Sequence, residues 1–258
     1  MAQVKLLLIV FFLLLGWGMG SNGGKPGVAG KSTGKTASQA ARYLALGDSY
    51  TIGESVAPEE RYPVQVSRLL GEKDHVSCGE PEIIAVTGWT TGNLLEALSG
   101  KSGRKGGRSV GAEGTEGGSA TGEGAYDIVS LLIGVNNQFQ GRSQAEYREQ
   151  FELLLQNSIR LAGGRPGHVV VLSIPDYSVT PFGRTGDTAL IAAQIDSFNR
   201  INAELAKKYS VKYVDVTAES RKAATDPSLI ASDGLHFSGK EYGVWARLME
   251  PAIRGALE

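Results

Sequence analysis

Short apolar runs alternate with longer amphipathic ones along most of this chain. Residues 43–46, 83–86, 128–133, 169–174 and 211–216 are near-continuous hydrophobic stretches, as expected of strands buried on both faces. After the third run, Ser143-Gln144-Ala145-Glu146 reads as a capping box, and Tyr147, Phe151, Leu154, Leu155 and Ile159 recur behind it at helical spacing. Ile191, Ile195, Phe198 and Leu205 mark a second helix between the fourth and fifth runs. Another capping box, Ser238-Gly239-Lys240-Glu241, opens a last helix carrying Val244, Trp245, Leu248 and Met249 before Pro251. Alternation of this kind predicts an α/β fold, a five-stranded parallel sheet with helices on both faces.

Three stretches fall outside the pattern. Residues 6–15 are unbroken apolar residues behind Lys5, and the small Gly18 and Gly20 after them suit a cleavage site before polar Ser21, so residues 1–20 read as a signal peptide. Lys25, Lys31 and Lys35 outnumber the single Lys5, which keeps an uncleaved anchor as the alternative. Export places the protein as secreted or periplasmic, with a membrane partner only if the leader stays. Residues 21–40, rich in Gly, Ser and Lys, read as a flexible linker to a domain over 41–258. Residues 29–36 end in the Gly-Lys-Thr of a phosphate-binding loop, but no strand delivers the segment and no helix follows it. Residues 100–124 are Gly-rich, with basic residues in the first half and acidic ones in the second, and read as a disordered insertion.

Composition then narrows the chemistry. With 26 Lys+Arg against 27 Asp+Glu in 258 residues and no basic stripe, nucleic acid is not an expected partner. Cys78 is the one cysteine, and His75, His168 and His236 are the three histidines, none at zinc-ligand spacing, so metal-dependent chemistry loses most of its candidate ligands. Cys78 reads as a small buried or half-buried side chain. What remains is chemistry from hydroxyls, carboxylates and imidazole.

In a parallel sheet, ligand sites gather where the chain leaves the strands. His75 and His168 precede strands and fall on the wrong edge; His236 follows one. Four segments leave strands on the functional edge: Gly47-Asp48-Ser49-Tyr50-Thr51, Thr87-Gly88-Trp89, Gly134-Val135-Asn136-Asn137 and Asp233-Gly234-Leu235-His236. Acyl transfer needs a hydroxyl, a base, an acid to orient the base, and donors for the oxyanion. Ser49 is the candidate nucleophile, His236 the base and Asp233 its orienting acid. The N–H groups of Ser49 and Gly88 and the Asn136 amide are the candidate oxyanion donors. Asp48 reads as a loop-fixing acceptor and Asp176 as a reserve partner for His236. The G-x-S-x-G elbow is absent, since Thr51 holds its last position.

These blocks, Gly-Asp-Ser, then Gly, then Gly-x-Asn-x, then Asp-x-x-His, resemble those of the GDSL or SGNH hydrolases. Together they span Gly47 to His236. The resemblance implies a flavodoxin-like three-layer α/β/α fold, hydrolysis of esters of lipid, aryl or acetylated-sugar type through an acyl-Ser49 intermediate, and no cofactor. It assigns catalysis to Ser49, Gly88, Asn136, Asp233 and His236. Residues 173–177 are also similar to the loop after the fourth strand in bacterial members. Asn137 stands where many members have Asp, and Phe237 where Pro often follows the His; the first bears on packing behind the oxyanion hole, the second on the pocket floor. The alternatives are O-acyl transfer to a sugar or alcohol, and a catalytically silent cell-surface binding module. Oligomeric state is left open by the sequence.

Overall fold

The computed structural model describes residues 40–74, 77–103 and 125–258. The leader, most of the linker, the phosphate-loop-like segment, His75 and most of the expected insertion lie outside the described residues. Five strands, β1 (Tyr43–Gly47), β2 (Glu82–Ala85), β3 (Ile128–Leu132), β4 (Val169–Leu172) and β5 (Lys212–Val214), form one sheet. All four pairings are parallel and the order is β2-β1-β3-β4-β5. The strands lie where the hydrophobic runs predicted them, with no end displaced by more than two residues. Val86, expected in the second strand, is 44% exposed and sits in the turn that leaves it.

The helices, in chain order, are α1 (Ser49–Ile52), α2 (Tyr62–Asp74), α3 (Thr91–Gly103), α4 (Val135–Phe139), α5 (Gln144–Leu161), α6 (Thr188–Lys208), α7 (Thr217–Ser220) and α8 (Gly239–Leu257). On one side of the sheet α2 packs against α8 through Tyr62, Tyr242 and Trp245, whose ring centroids lie 4.9 to 6.3 Å apart. On the other, α5 meets α6 through Tyr147 and Phe198 at 4.6 Å, and the Tyr147 hydroxyl donates to Asn202 Oδ1 at 2.7 Å. Both faces of β1 and β3 are therefore covered, which is why every residue of these two strands is buried.

Three helical features differ from the sequence expectation. α3 takes in residues 100–103, the start of the expected insertion, because Leu94 and Leu98 anchor its apolar side and extending a formed helix costs less than nucleating one. α8 continues through Pro251 to Leu257. Only half of its capping box forms: the Ser238 hydroxyl accepts the Glu241 N–H, while the buried Glu241 carboxylate accepts the Trp245 indole N–H at 2.7 Å. A buried indole donor requires a partner, and Glu241 is the acceptor within reach.

The strand order reverses at β1: the chain steps outward to β2, then returns across β1 to β3. The ends of β1 and β3 thus border the crevice at which open parallel sheets place ligands. Gly134, just past β3, has φ +133°, and a Cβ there would come within 2.6 Å of the Tyr147 hydroxyl and 2.7 Å of Ile174 Cδ1. Gly134→Ala is therefore expected to lower stability by about 2 kcal/mol or more. Gly71→Ala, in open space within α2, should instead raise it by about 0.5–1 kcal/mol. Urea unfolding midpoints of the two variants check both signs.

Candidate active site

Asp48 caps α1, its Oδ1 accepting the Tyr50 N–H at 3.1 Å, so Ser49 becomes the first residue of a one-turn helix directly off the end of β1. The Ser49 side chain is buried. Tyr50 packs into the core, its ring edge-on to the His236 imidazole with centroids 5.6 Å apart, and also touches Phe237 at 5.9 Å and Trp245 at 6.2 Å. The residue after the candidate nucleophile is thus in contact with the candidate base.

His236 is held by a small hairpin. Ile230 and Phe237 form an antiparallel bridge, Ala231 N–H donates to His236 O at 2.8 Å, and Gly234 turns the chain with φ +72°. Inside this turn the Asp233 carboxylate accepts four hydrogen bonds. Its Oδ1 takes the N–H groups of Leu235 and His236, each at 2.9 Å; its Oδ2 takes His236 Nδ1–H at 2.6 Å and the Ser55 hydroxyl at 2.7 Å. Because a carboxylate only accepts, Nδ1 carries a proton, so in the neutral form of the imidazole the lone pair falls on Nε2. Partial burial alone would raise the Asp233 carboxyl, but the hydrogen bonds from His236, Leu235 and Ser55 outweigh it and hold the group well below the usual carboxylate range.

The segments after β2 and β3 meet each other at the same edge of the sheet. Val86 to Trp89 is a turn closed by Trp89 N–H to Val86 O at 3.2 Å, with Gly88 at φ +84° in open space. Asn136, in the first turn of α4, donates through Nδ2 to Trp89 O at 3.0 Å, which leaves its second amide hydrogen uncommitted by that bond and ties the two segments together. Asn137 is wholly buried behind them and clamps the start of α3. Its Oδ1 accepts the Thr91 N–H at 3.0 Å and its Nδ2 donates to the Thr91 hydroxyl at 2.7 Å. An Asp at this position could accept but not donate, so the amide fits this contact better than the acid does.

Other expected residues lie elsewhere. His168 Nδ1 bonds Asp127 O at 2.7 Å where the chain enters β4, the edge away from the site. Asp176, the reserve partner for His236, is instead paired with Arg221 Nε at 2.8 Å and caps the following turn through Ser178 N–H. Phe237 is packed between Tyr50 and Trp245 and forms core rather than a pocket floor. Cys78 is half-buried against the Ser67 hydroxyl, and burial pushes its thiol up. Ser55 was not foreseen, since no local pattern gives a signal for it. Phe139, Tyr177 and Phe182, aromatic residues of the loops around the expected site, pack on one another with ring centroids 6.1 to 6.5 Å apart, an arrangement that spacing could not give. Phe139 and Phe182 are 59% and 42% exposed, and Phe182 N–H donates to Gly234 O at 3.0 Å.

Asp48 is fully buried, and its Oδ2 lacks a hydrogen-bond partner among the described residues. Burial raises its carboxyl to about 7, against the opposing pull of the Tyr50 and Gly134 N–H groups. The folded state therefore holds this proton more tightly than the unfolded chain, where Asp titrates near about 4. The stabilisation is complete below about pH 4 and is lost as the pH rises through about 7. At about 1.4 kcal/mol per pH unit at most, the loss amounts to a few kcal/mol. Asp48→Asn should flatten this slope, which urea midpoints measured from pH 5 to 8 would reveal.

The model of the GDSL-like lipase/acylhydrolase family matches residues 45–244. No curated protein sequence matches the chain significantly. Among solved structures, TesA is similar at 13% identity and a TM-score of 0.58, covering 83% of this chain and 99% of its own. A lipase/acylhydrolase from Enterococcus faecalis shows 21% identity and 0.58 over 84% and 97%. Axe2, an acetylxylan esterase from Geobacillus stearothermophilus, shows 17% identity and 0.55 over 83% and 94%. At such identities the structures speak for the fold alone, while the family match covers residues 45–244, most of the described domain. The chain belongs to the GDSL-like lipase/acylhydrolase family and is a serine hydrolase acting on ester bonds.

Proposed function

We propose that Ser49, His236 and Asp233 work as a catalytic triad in an esterase that passes through an acyl-Ser49 intermediate. The observation that carries this reading is the His236 Nδ1 to Asp233 bond at 2.6 Å, which directs the basic Nε2 away from the carboxylate while Tyr50 keeps the imidazole against the Ser49 block. The Ser49 hydroxyl adds to the ester carbonyl as its proton passes to Nε2. The Asp233 carboxylate then stabilises the imidazolium without taking the proton itself. Charge developing on the carbonyl oxygen is met by the N–H groups of Ser49 and Gly88 and by the Asn136 amide. Collapse breaks the bond to the alcohol, which leaves with the proton from His236. Water, deprotonated by the same nitrogen, then releases the acid and restores Ser49.

The exposed Phe139 and Phe182 rings, backed by Tyr177, favour small esters with an apolar acyl or aryl group over acetylated sugars, because the rings are mutually tilted by 43 to 70° and offer no single flat platform. The apolar run behind Lys5 supports action outside the cytoplasm.

Purified protein is expected to hydrolyse p-nitrophenyl butyrate and to be labelled at Ser49 by a fluorophosphonate. Ser49→Ala should fold normally and lose about 10⁴-fold or more in rate; equal rates in the two proteins would exclude the mechanism. Products analysed with added glycerol separate hydrolysis from acyl transfer. Phe139→Ala should raise KM for the butyrate about five- to tenfold with little change in kcat, and leave the corresponding acetate nearly unaffected.

A further inference from the structure

We infer that Ser55 is a positioning residue for the Asp233–His236 pair, an inference that rests on the triad reading above. Two independent observations meet at this residue. The first is its hydrogen bond: across 178 residues of sequence, the Ser55 hydroxyl donates at 2.7 Å to Asp233 Oδ2, the same oxygen that accepts His236 Nδ1–H at 2.6 Å. The second is its backbone. Gly53 to Val56 is a turn closed by Val56 N–H to Gly53 O at 3.3 Å, and Ser55 occupies its third position with φ +65°. A turn with positive φ at that position calls for glycine. Among the described residues the only other non-glycine at positive φ is Ser210, which lies just past the end of α6, where helices commonly finish in this conformation. Ser55 has no such helical reason, and what its side chain contributes in place of glycine is the hydroxyl on Asp233.

The surroundings explain why that bond matters. The turn is anchored to the nucleophile block by Glu54 N–H to Ser49 O at 2.9 Å, and the Glu54 carboxylate accepts the hydroxyl of Thr87, the residue before Gly88. The loop after α1 therefore reaches the oxyanion segment with one side chain and the acid of the triad with the next. The Asp233 side chain is 31% exposed, so the hydroxyl fills a lone pair that water would otherwise take. With it in place all four acceptor sites of the carboxylate are held, and the carboxylate has no freedom to swing Oδ2 away from Nδ1 when the imidazole becomes charged. Without it, one oxygen is tethered by His236 alone.

Ser55→Gly is the deciding variant, since glycine adopts the turn freely and removes only the hydroxyl; Ser55→Ala removes the hydroxyl and keeps the strain. Both are expected to lower kcat for p-nitrophenyl butyrate and the rate of fluorophosphonate labelling by about 5- to 30-fold with KM unchanged, as for loss of a hydrogen bond to a charged group. Ser55→Gly should melt no lower than the wild-type protein. In proton NMR, the low-field His236 Nδ1–H resonance, assigned by its absence in His236→Gln, should move in both variants. A Ser55→Gly protein with wild-type kcat, including the case in which only Ser55→Ala is impaired, would overturn the inference, as would an unmoved resonance. A wild-type protein that neither hydrolyses nor labels would instead overturn the triad reading, while the resonance would still report whether Ser55 orients the pair.

Discussion

β1 is hydrogen-bonded on both sides, to β2 and to β3, and that double pairing governs the rest of the molecule. A strand so placed cannot continue sideways, and the chain must leave it at its carboxyl end. Because the next strand lies to one side and the third to the other, the connections diverge and open a crevice at the ends of β1 and β3. Asp48 and Ser49 enter the crevice from one wall, Gly134 and Asn136 from the other. The packing of Tyr147 and Ile174 against Gly134 keeps the second wall close, which is why a side chain at that glycine has no room.

The site is assembled from groups that do not favour folding on their own. Asp48 is a fully buried carboxyl with one oxygen unpartnered among the described residues, and Ser55 holds a backbone conformation more natural to glycine. What compensates is the aromatic cluster directly behind them. Tyr50, Tyr62, Phe237, Tyr242 and Trp245 are buried between α1, α2, α8 and the last hairpin, and their rings link the Ser49 block to the His236 block. The same ring, that of Tyr50, therefore contributes to core stability and to the placement of His236, so a large change there should disturb both together.

Much of the fold was legible because its signals are local. A strand buried on both faces must be apolar along its whole length, and an amphipathic helix must repeat its apolar positions, whatever else the chain does. The sheet-edge rule then divided the loops, and it separated His236 from His168 without coordinates. Asp233 and His236 were readable for the same reason, since a three-residue separation lets one turn bring them together. Asp176 shows where such reasoning stops. It lies on the functional edge, yet its carboxylate is taken by Arg221, forty-five residues away in sequence.

The sequence by itself determined the alternation of elements, the edge at which chemistry collects and the identities of the nucleophile, base and acid candidates, because each depends on composition over a few neighbouring residues. Tertiary structure alone decided that Glu241 serves Trp245 rather than its cap, that Asn137 clamps Thr91, and that Ser55 completes the coordination of Asp233. These are choices among polar partners of similar chemistry, and hydrogen bonding selects by distance and direction within about 3 Å. Only the packed fold fixes both.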